Sequence, residues 1–562
     1  MCSNRDYIDY LNSLHNYNAQ NQNAYAERNV ENEYYSDVMV KIKLCDFIVN
    51  SFSEIPHIVM LTGHAGDGKT STMYQVFKEL HISFNISQKI TTITLSDGRK
   101  CLCVKDFSEL SDIEKISTLN EILECPEKGQ FVFLVANTGP LINTFKKMFL
   151  NEQDQEKYTI QLLNAMDESS GKINNIAGYP ISVINMASVD NTYFALEFLK
   201  KITNDTLWLN CKTCPKSSYC HMLRNKRLIN DNKQQVYRFI EEHFTWLSEH
   251  GKRLTIRSIT EQLAFMITGG YNCETVIPIE EDQLLFSNLF FGYRGIIQMP
   301  EAKNIIAIDI ANRCGYDSKK LRADEELLIT KNYKELFGDE VFKIVSQAYA
   351  KNAFIDGWAE FLRRTYMFLN IVTDDIRKAE DTEDTFSAQF SRYLAITKGK
   401  SQPNHTDVML IADALSMAYI GTIDEGNPEI AVTLSKEAGL SQNVQLIIGT
   451  ISERQMSVET IKTNDAVFGG GEEHYKLKLK INHIVLDETL SLPLIDYFAE
   501  LRRGIIPTNI DPQLSHGVES IKAQISALVL TDDSEIELYV LRNDGYRLMR
   551  LSFDNEEIHQ DY

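Results

Sequence analysis

Gly63-His-Ala-Gly-Asp-Gly-Lys69-Thr70 matches the pattern G-x-x-x-x-G-K-[S/T]. The chemistry of that spacing is phosphate binding. Glycines let successive backbone N–H groups turn toward phosphate oxygens, and a helix starting at the lysine adds its positive dipole end. The lysine neutralises the β- and γ-phosphates, and the next hydroxyl is a ligand for Mg²⁺. The expected seat for ATP and Mg²⁺ is therefore Gly63, His64, Ala65, Gly66, Asp67, Gly68, Lys69, Thr70 and Ser71. Its flanks agree, with Ile58-Val-Met-Leu61 reading as a buried strand and Thr70–Leu80 as a helix.

Hydrolysis needs a further carboxylate for the metal and a group that orients water. Asp106 closes the apolar run Cys101-Leu-Cys-Val-Lys and is the Walker B candidate. Glu109 is the nearest spare carboxylate for polarising water, although the usual pair is adjacent. Phe131-Val-Phe-Leu-Val-Ala136 reads as a buried strand ending in Asn137. Where an extra strand separates the phosphate-loop strand from the Walker B strand, such an amide (sensor 1) contacts the γ-phosphate or the lytic water. Plainer roles exist for each: a solvated strand end for Asp106, a helix cap for Glu109, the start of a turn for Asn137. Arg257 falls in the first turn of a helix beginning at Thr255. Similarity to AAA-type lids makes it a sensor 2 arginine, and a surface arginine is the alternative. Arg294, Arg363 and Arg364 remain unranked as arginines acting in trans.

Cys211-Lys-Thr-Cys214 and Cys220-His221 form C-x2-C-x5-C-H. Thiolates at this spacing converge, and a structural zinc ion takes four sulfur or nitrogen ligands. Cys211, Cys214, Cys220 and His221 are the candidate set. Adjacent Cys220 and His221 reach one metal awkwardly, which leaves Cys273 or another distant residue as the fourth ligand. Free buried thiols and an iron–sulfur cluster are the other readings.

The elements needed to hold these residues in place are legible in part. Apolar runs at His57–Thr62, Cys101–Asp106, Phe131–Asn137 and Ile181–Met186, with a weaker one at Ile90–Leu95, alternate with helical patterns. That alternation predicts a parallel sheet with crossover helices over 51–200. Before it, 1–50 reads as an arm and a helix from Val38 to Val49. After it come a cysteine knuckle and helical lid (201–270), a helical domain (271–429, with a linker or long loop at 397–406) and a β-rich domain (430–562). Val236, Phe239, Ile240, Phe244 and Leu247 form a helical stripe. Tyr475–Ile481 alternates as a half-buried strand, and Asn543-Asp544-Gly545 reads as a hairpin turn. The last domain carries no catalytic motif and is expected to dock a companion subunit, or else to show lysines as ordinary edge protection.

Length and composition bound the class. The 562 residues, 43% hydrophobic and 10% aromatic, suit two to four folded domains. No segment has the apolar length of a membrane span, no signal-like stretch opens the chain, and the clustered cysteines suggest metal rather than disulfides; a soluble, cytoplasmic protein is expected. A net charge of −21 without a basic run argues against an autonomous grip on DNA.

With these features in place, the chain resembles the DptF family, the ATPase subunit of DNA phosphorothioation-dependent restriction. The resemblance rests on Gly63–Thr70, Leu134-Val-Ala-Asn-Thr-Gly-Pro-Leu141, Trp208 through Asn225, Leu254–Gly270 and Phe286-Ser-Asn-Leu-Phe-Phe-Gly292, and spans about residues 50–365. It implies an AAA-like P-loop NTPase fold and Mg²⁺-dependent ATP hydrolysis. It also implies a bacterial antiviral defence complex with companion subunits, one helicase-like, that restricts DNA lacking backbone sulfur. DNA would be met through the assembly, and a homo-oligomer is possible. The other functional class is a nucleotide-dependent switch or assembly ATPase with no direct part in DNA processing.

Overall fold

Ile58–Thr62 (β1) and Phe131–Val135 (β4) are buried at every position, as strands covered on both faces must be. With Lys100–Val104 (β3) and Tyr179–Asn185 (β6) they form four parallel neighbours, ordered β3-β4-β1-β6. The computed structural model describes residues 4–17, 32–83, 85, 88–189, 192–371, 374–423, 429–434, 443–463, 474–505, 510–529, 535–542, 545–554 and 557–561. The hairpin turn expected at Asn543-Asp544 and much of the expected N-terminal arm lie outside these residues.

The sheet is mixed rather than wholly parallel. Ile90–Thr94 (β2) pairs antiparallel with β3, and Ile173–Ile176 (β5) pairs antiparallel with β6. Each departure has a short connection behind it. Only Leu95–Arg99 separate β2 from β3, and only Ala177-Gly178, both at positive φ, separate β5 from β6. Links this short permit hairpins and exclude the crossover that a parallel pair requires.

Helices cover both faces. On one, Leu44 and Ile48 of Lys43–Ser51 and Met73, Val76 and Phe77 of Lys69–Glu79 pack on Val59, Leu61, Phe131 and Phe133. On the other, Asp112–Glu124, Thr138–Lys147 and Glu152–Glu168 bring Leu119, Ile122, Leu141, Phe145 and Leu162 onto Ile58, Met60, Val132 and Leu134. In chain order Arg5–Ser13 is α1, Tyr35–Val38 α2, Lys43–Ser51 α3, Lys69–Glu79 α4, Asp112–Glu124 α5, Thr138–Lys147 α6 and Glu152–Glu168 α7. The helix expected over Val38–Val49 is broken. Between α2 and α3 the chain runs extended, because the Gln75 amide donates to the Val40 carbonyl at 2.9 Å and accepts the Ile42 N–H at 3.0 Å.

Beyond the sheet come Thr192–Ile202 (α8), His221–Asp231 (α9), Lys233–Glu249 (α10) and Ile256–Thr268 (α11). The α10 stripe Val236, Phe239, Ile240, Phe244 and Leu247 is buried as expected. The region stays helical to Thr385, with a small hairpin, Tyr293–Arg294 and Ile297–Gln298, inside it. Among the described residues no helix is long and apolar enough to cross a membrane.

The described chain divides into two units, one ending at Thr385 and one beginning at Phe386, so the boundary lies well before the expected one at 430. Among its described residues the second unit holds a five-stranded and a three-stranded antiparallel sheet with four helices, Phe390–Thr397, His405–Tyr419, Leu492–Arg502 and Pro512–Ser526. The stretch expected as a linker or long loop at 397–406 is a short loop pinned between two helices. Arg392 grips Asp407 at 2.6 and 3.1 Å and Ser401 at 2.6 Å, and Asn404 caps the following helix. Tyr475–Ile481 buries Leu477, Leu479 and Ile481 as predicted, but it is the central strand of its sheet. Its lysines are accordingly not edge protection; Lys480 pairs with Glu459 on the neighbouring strand at 3.5 Å.

Candidate nucleotide site and cysteine cluster

The loop after β1 turns on Gly63, Gly66 and Gly68, whose φ values are +143°, +91° and +85°. Gly68 caps α4, and a Cβ there would lie 2.9 Å from Ile256 Cδ1, so conformation and space both demand glycine. Lys69 is folded over the loop with Nζ donating to the His64 carbonyl at 2.6 Å. Burial holds its ammonium below the ordinary lysine range, against the opposing pull of Asp67 and Asp106. The Asp67 side chain is fully buried; Oδ2 accepts the His64 N–H at 2.7 Å and Oδ1 meets Arg253 at 3.0 Å.

One cavity of about 310 Å³ has Lys69, Thr70, Ser71, Asp106, Glu109, Asn137 and Arg257 in its walls, so all five residues expected to be catalytic come together. Its volume is at the lower end of small-molecule sites, which span roughly 300–1,000 Å³. Asp106 follows β3 in the left-handed conformation, φ +54°, and its carboxylate lies 3.2 Å from Lys105 Nζ. Glu109 ends the short turn Phe107–Glu109; it is largely exposed and pairs with Lys89 at 3.3 Å. Asn137 follows β4, which lies between β1 and β3, and its N–H donates to the Ser108 hydroxyl at 2.8 Å. That contact ties the turn after β3 to the turn after β4, a link no sequence pattern announces.

Arg257 is delivered by α11, capped by Thr255. The Arg257 N–H donates to the Gly66 carbonyl at 3.2 Å, fastening the first turn of α11 directly to the glycine loop. The cavity also has apolar and aromatic walls: Tyr35, Val38 and Val40 from the N-terminal segment, Phe194 and Phe198 from α8, and Ile256 from α11. These walls were missed in the sequence, where 1–50 suggested no function. The available signal was Gln75, a polar residue on the inner face of α4 whose amide needs buried partners, found in the Val40–Ile42 backbone strap and the Cys45 thiol. The lining combines a lysine and a hydroxyl with apolar surface that suits a flat ring.

The remaining arginines lie elsewhere. Arg294 holds Gln283 at 2.7 and 3.0 Å, and Arg363 holds Asp324 at 2.8 and 3.0 Å. Arg364 is buried against Asp317, donates to Asn288 at 2.7 Å and stacks 3.8 Å over Tyr293. Arg364 is thus part of the core and does not reach another molecule.

Cys211, Cys214, Cys220 and Cys273 line a second, much smaller cavity, about 10 Å³. A space of that order holds a single water-sized guest. Cys211, Cys214 and Cys220 are outside any disulfide, and Cys273 is disulfide-bonded. Burial pushes the Cys211 thiol up to about 11 and raises Cys220 as well. His221 is not in the lining of this cavity: it begins α9, its Nε2 is bonded to the Thr268 carbonyl at 3.0 Å, its ring lies edge-on to Tyr271, and its buried Nδ1 has no hydrogen-bond partner. Among the described residues no three His, Cys, Asp or Glu side chains stand close enough to hold a metal ion as they are. The donor chemistry suits zinc; the spacing would have to tighten around it.

Releasing the strap tests the construction of the nucleotide-sized cavity. Gln75→Ala removes both bonds that fix Val40 to Ile42, and amide hydrogen exchange at Ile42 is expected to quicken by about tenfold. Unchanged protection there contradicts the role given to Gln75. No family model, curated protein or solved structure matches this chain.

Proposed function

We infer that the chain binds ATP with Mg²⁺ and hydrolyses it on an AAA-like P-loop core. The observation that carries this is the single cavity into which Lys69, Thr70, Asp106, Asn137 and Arg257 converge from distant parts of the sequence. Thr70 and Asp106 are a hydroxyl and a carboxylate, the hard oxygen donors that suit Mg²⁺. When bound, that ion neutralises phosphate charge. Lys69, released from the His64 carbonyl, supplies the counter-charge to the transferred phosphoryl group. Asn137, at the end of the strand between β1 and β3, orients the attacking water, and Arg257 reaches the phosphates from α11.

Lys69→Ala is expected to abolish most turnover, and Asp106→Asn to reduce hydrolysis more than nucleotide binding. Undiminished ATPase activity in purified Lys69→Ala protein sinks the proposal, and equal loss of both properties in Asp106→Asn assigns that residue a structural role.

Within ATPases, the resemblance to the DptF family supports a subunit of a phosphorothioation-dependent restriction complex, in which residues 430–562, part of the unit beginning at Phe386, would dock a companion subunit. A second reading has an observation in its favour. Glu109 is exposed, engaged with Lys89 and not adjacent to Asp106, an arrangement suited to slow turnover and to a nucleotide-controlled switch. Stimulation of hydrolysis by DNA with partner subunits supports the first; nucleotide-dependent oligomerisation without a DNA effect supports the second.

The cysteine cavity is proposed as a structural zinc site held by Cys211, Cys214 and Cys220, with Cys273 as the fourth sulfur once reduced. Zinc binding would deprotonate thiols that burial otherwise keeps protonated. Metal analysis of protein purified under reducing conditions without added zinc is expected to find about one zinc per chain. A content near zero, or iron, contradicts it.

A further inference from the structure

Asp67 sets a carboxylate with no solvent exposure inside the loop proposed to hold phosphates. By closing onto the His64 N–H at 2.7 Å it acts as an internal strut, holding the loop's curvature. The same negative charge works against the loop's purpose. It would repel phosphate, and it attracts the Lys69 ammonium, whose protonated form it favours. A buried, uncompensated charge this near to a phosphate seat costs roughly tenfold or more in affinity.

The compensation comes from outside the loop. Arg253, 186 residues later and two positions before the cap of α11, meets Asp67 Oδ1 at 3.0 Å. Its Nη2 donates to the carbonyls of Met186 at 2.5 Å and Val189 at 3.3 Å, where the chain leaves β6. A planar guanidinium can serve all three at once, where a lysine ammonium reaches fewer. The glycine loop, the exit of β6 and the entry to α11 therefore meet on one side chain, and the Arg257 N–H bond to Gly66 lies a few residues further along.

We propose that Arg253 is a positioning residue of the nucleotide site, cancelling the charge of Asp67 so that an acidic strut can shape the phosphate loop without repelling phosphate. This rests on the nucleotide-binding reading above. The pair also explains why Asp67, expected among the nucleotide contacts, spends its side chain within the protein.

The test is calorimetric titration of the full chain with ATP and Mg²⁺, each variant first checked for folding by thermal unfolding. Arg253→Met is expected to bind about tenfold more weakly, Asp67→Asn a few-fold more tightly, and the double variant to regain most of the lost affinity. Recovery separates charge compensation from a simple fastener, because a fastener stays broken when both halves are removed. If the double variant is as weak as Arg253→Met, or if Arg253→Met binds like the wild type, the inference is overturned. Should Arg253→Met not fold, the double variant and Arg253→Lys decide: about tenfold weakening in the double variant, or in a folded Arg253→Lys that keeps the charge, overturns it. A wild-type chain that binds no ATP overturns the nucleotide reading itself; a wild type that binds with no effect at Arg253 overturns this inference alone.

Discussion

The first unit is organised around the curl of Gly63–Thr70, which exists because Gly63, Gly66 and Gly68 take conformations that a side chain would strain. The curl is tight enough that Ile256 fills the space a Cβ at Gly68 would occupy, and that Arg257 donates its backbone N–H to Gly66. The helix that carries a candidate phosphate-contacting arginine is therefore seated on the glycine loop itself. Substitution at Gly66 or Gly68 would disturb loop and helix at once.

The sheet does the rest of the positioning. Parallel strands release their C-terminal ends on the same side, and ligands in such sheets bind at those ends. The loop after β1, Asp106 after β3 and Asn137 after β4 are three such ends in adjacent register, with β4 in the middle. Completely buried β1 and β4 give these exits a rigid base. The Ser108 hydroxyl bonded to the Asn137 N–H then fixes the two neighbouring turns relative to each other.

Much of this was legible in the sequence. Continuous apolar runs identified β1, β3, β4 and β6, and residues following the first three are ones the fold brings into the cavity. What was missed shares a physical cause: contacts between segments distant in sequence, which leave no local pattern. The Gln75 amide breaks a helix that periodicity alone would continue through Val40. The edge strands β2 and β5 turn antiparallel because of loop length, not composition. His221 adjoins Cys220 in sequence, yet it is not in the lining of the cysteine cavity, and its Nε2 is engaged with the Thr268 carbonyl. Of the two readings at 397–406, linker or loop, the structure has the loop, with polar residues held by Arg392.

The central claim is that the cavity between the glycine loop and the N-terminal strap is a nucleotide site. The most direct measurement is an experimental structure of the full chain grown with Mg²⁺ and a non-hydrolysable ATP analogue. The account predicts phosphates against the backbone N–H groups of Gly66 to Thr70 with Lys69 turned away from the His64 carbonyl, and the base between Val40, Phe198 and Ile256. An analogue bound elsewhere, or a cavity left empty at saturating analogue with Lys69 still on His64, would contradict it.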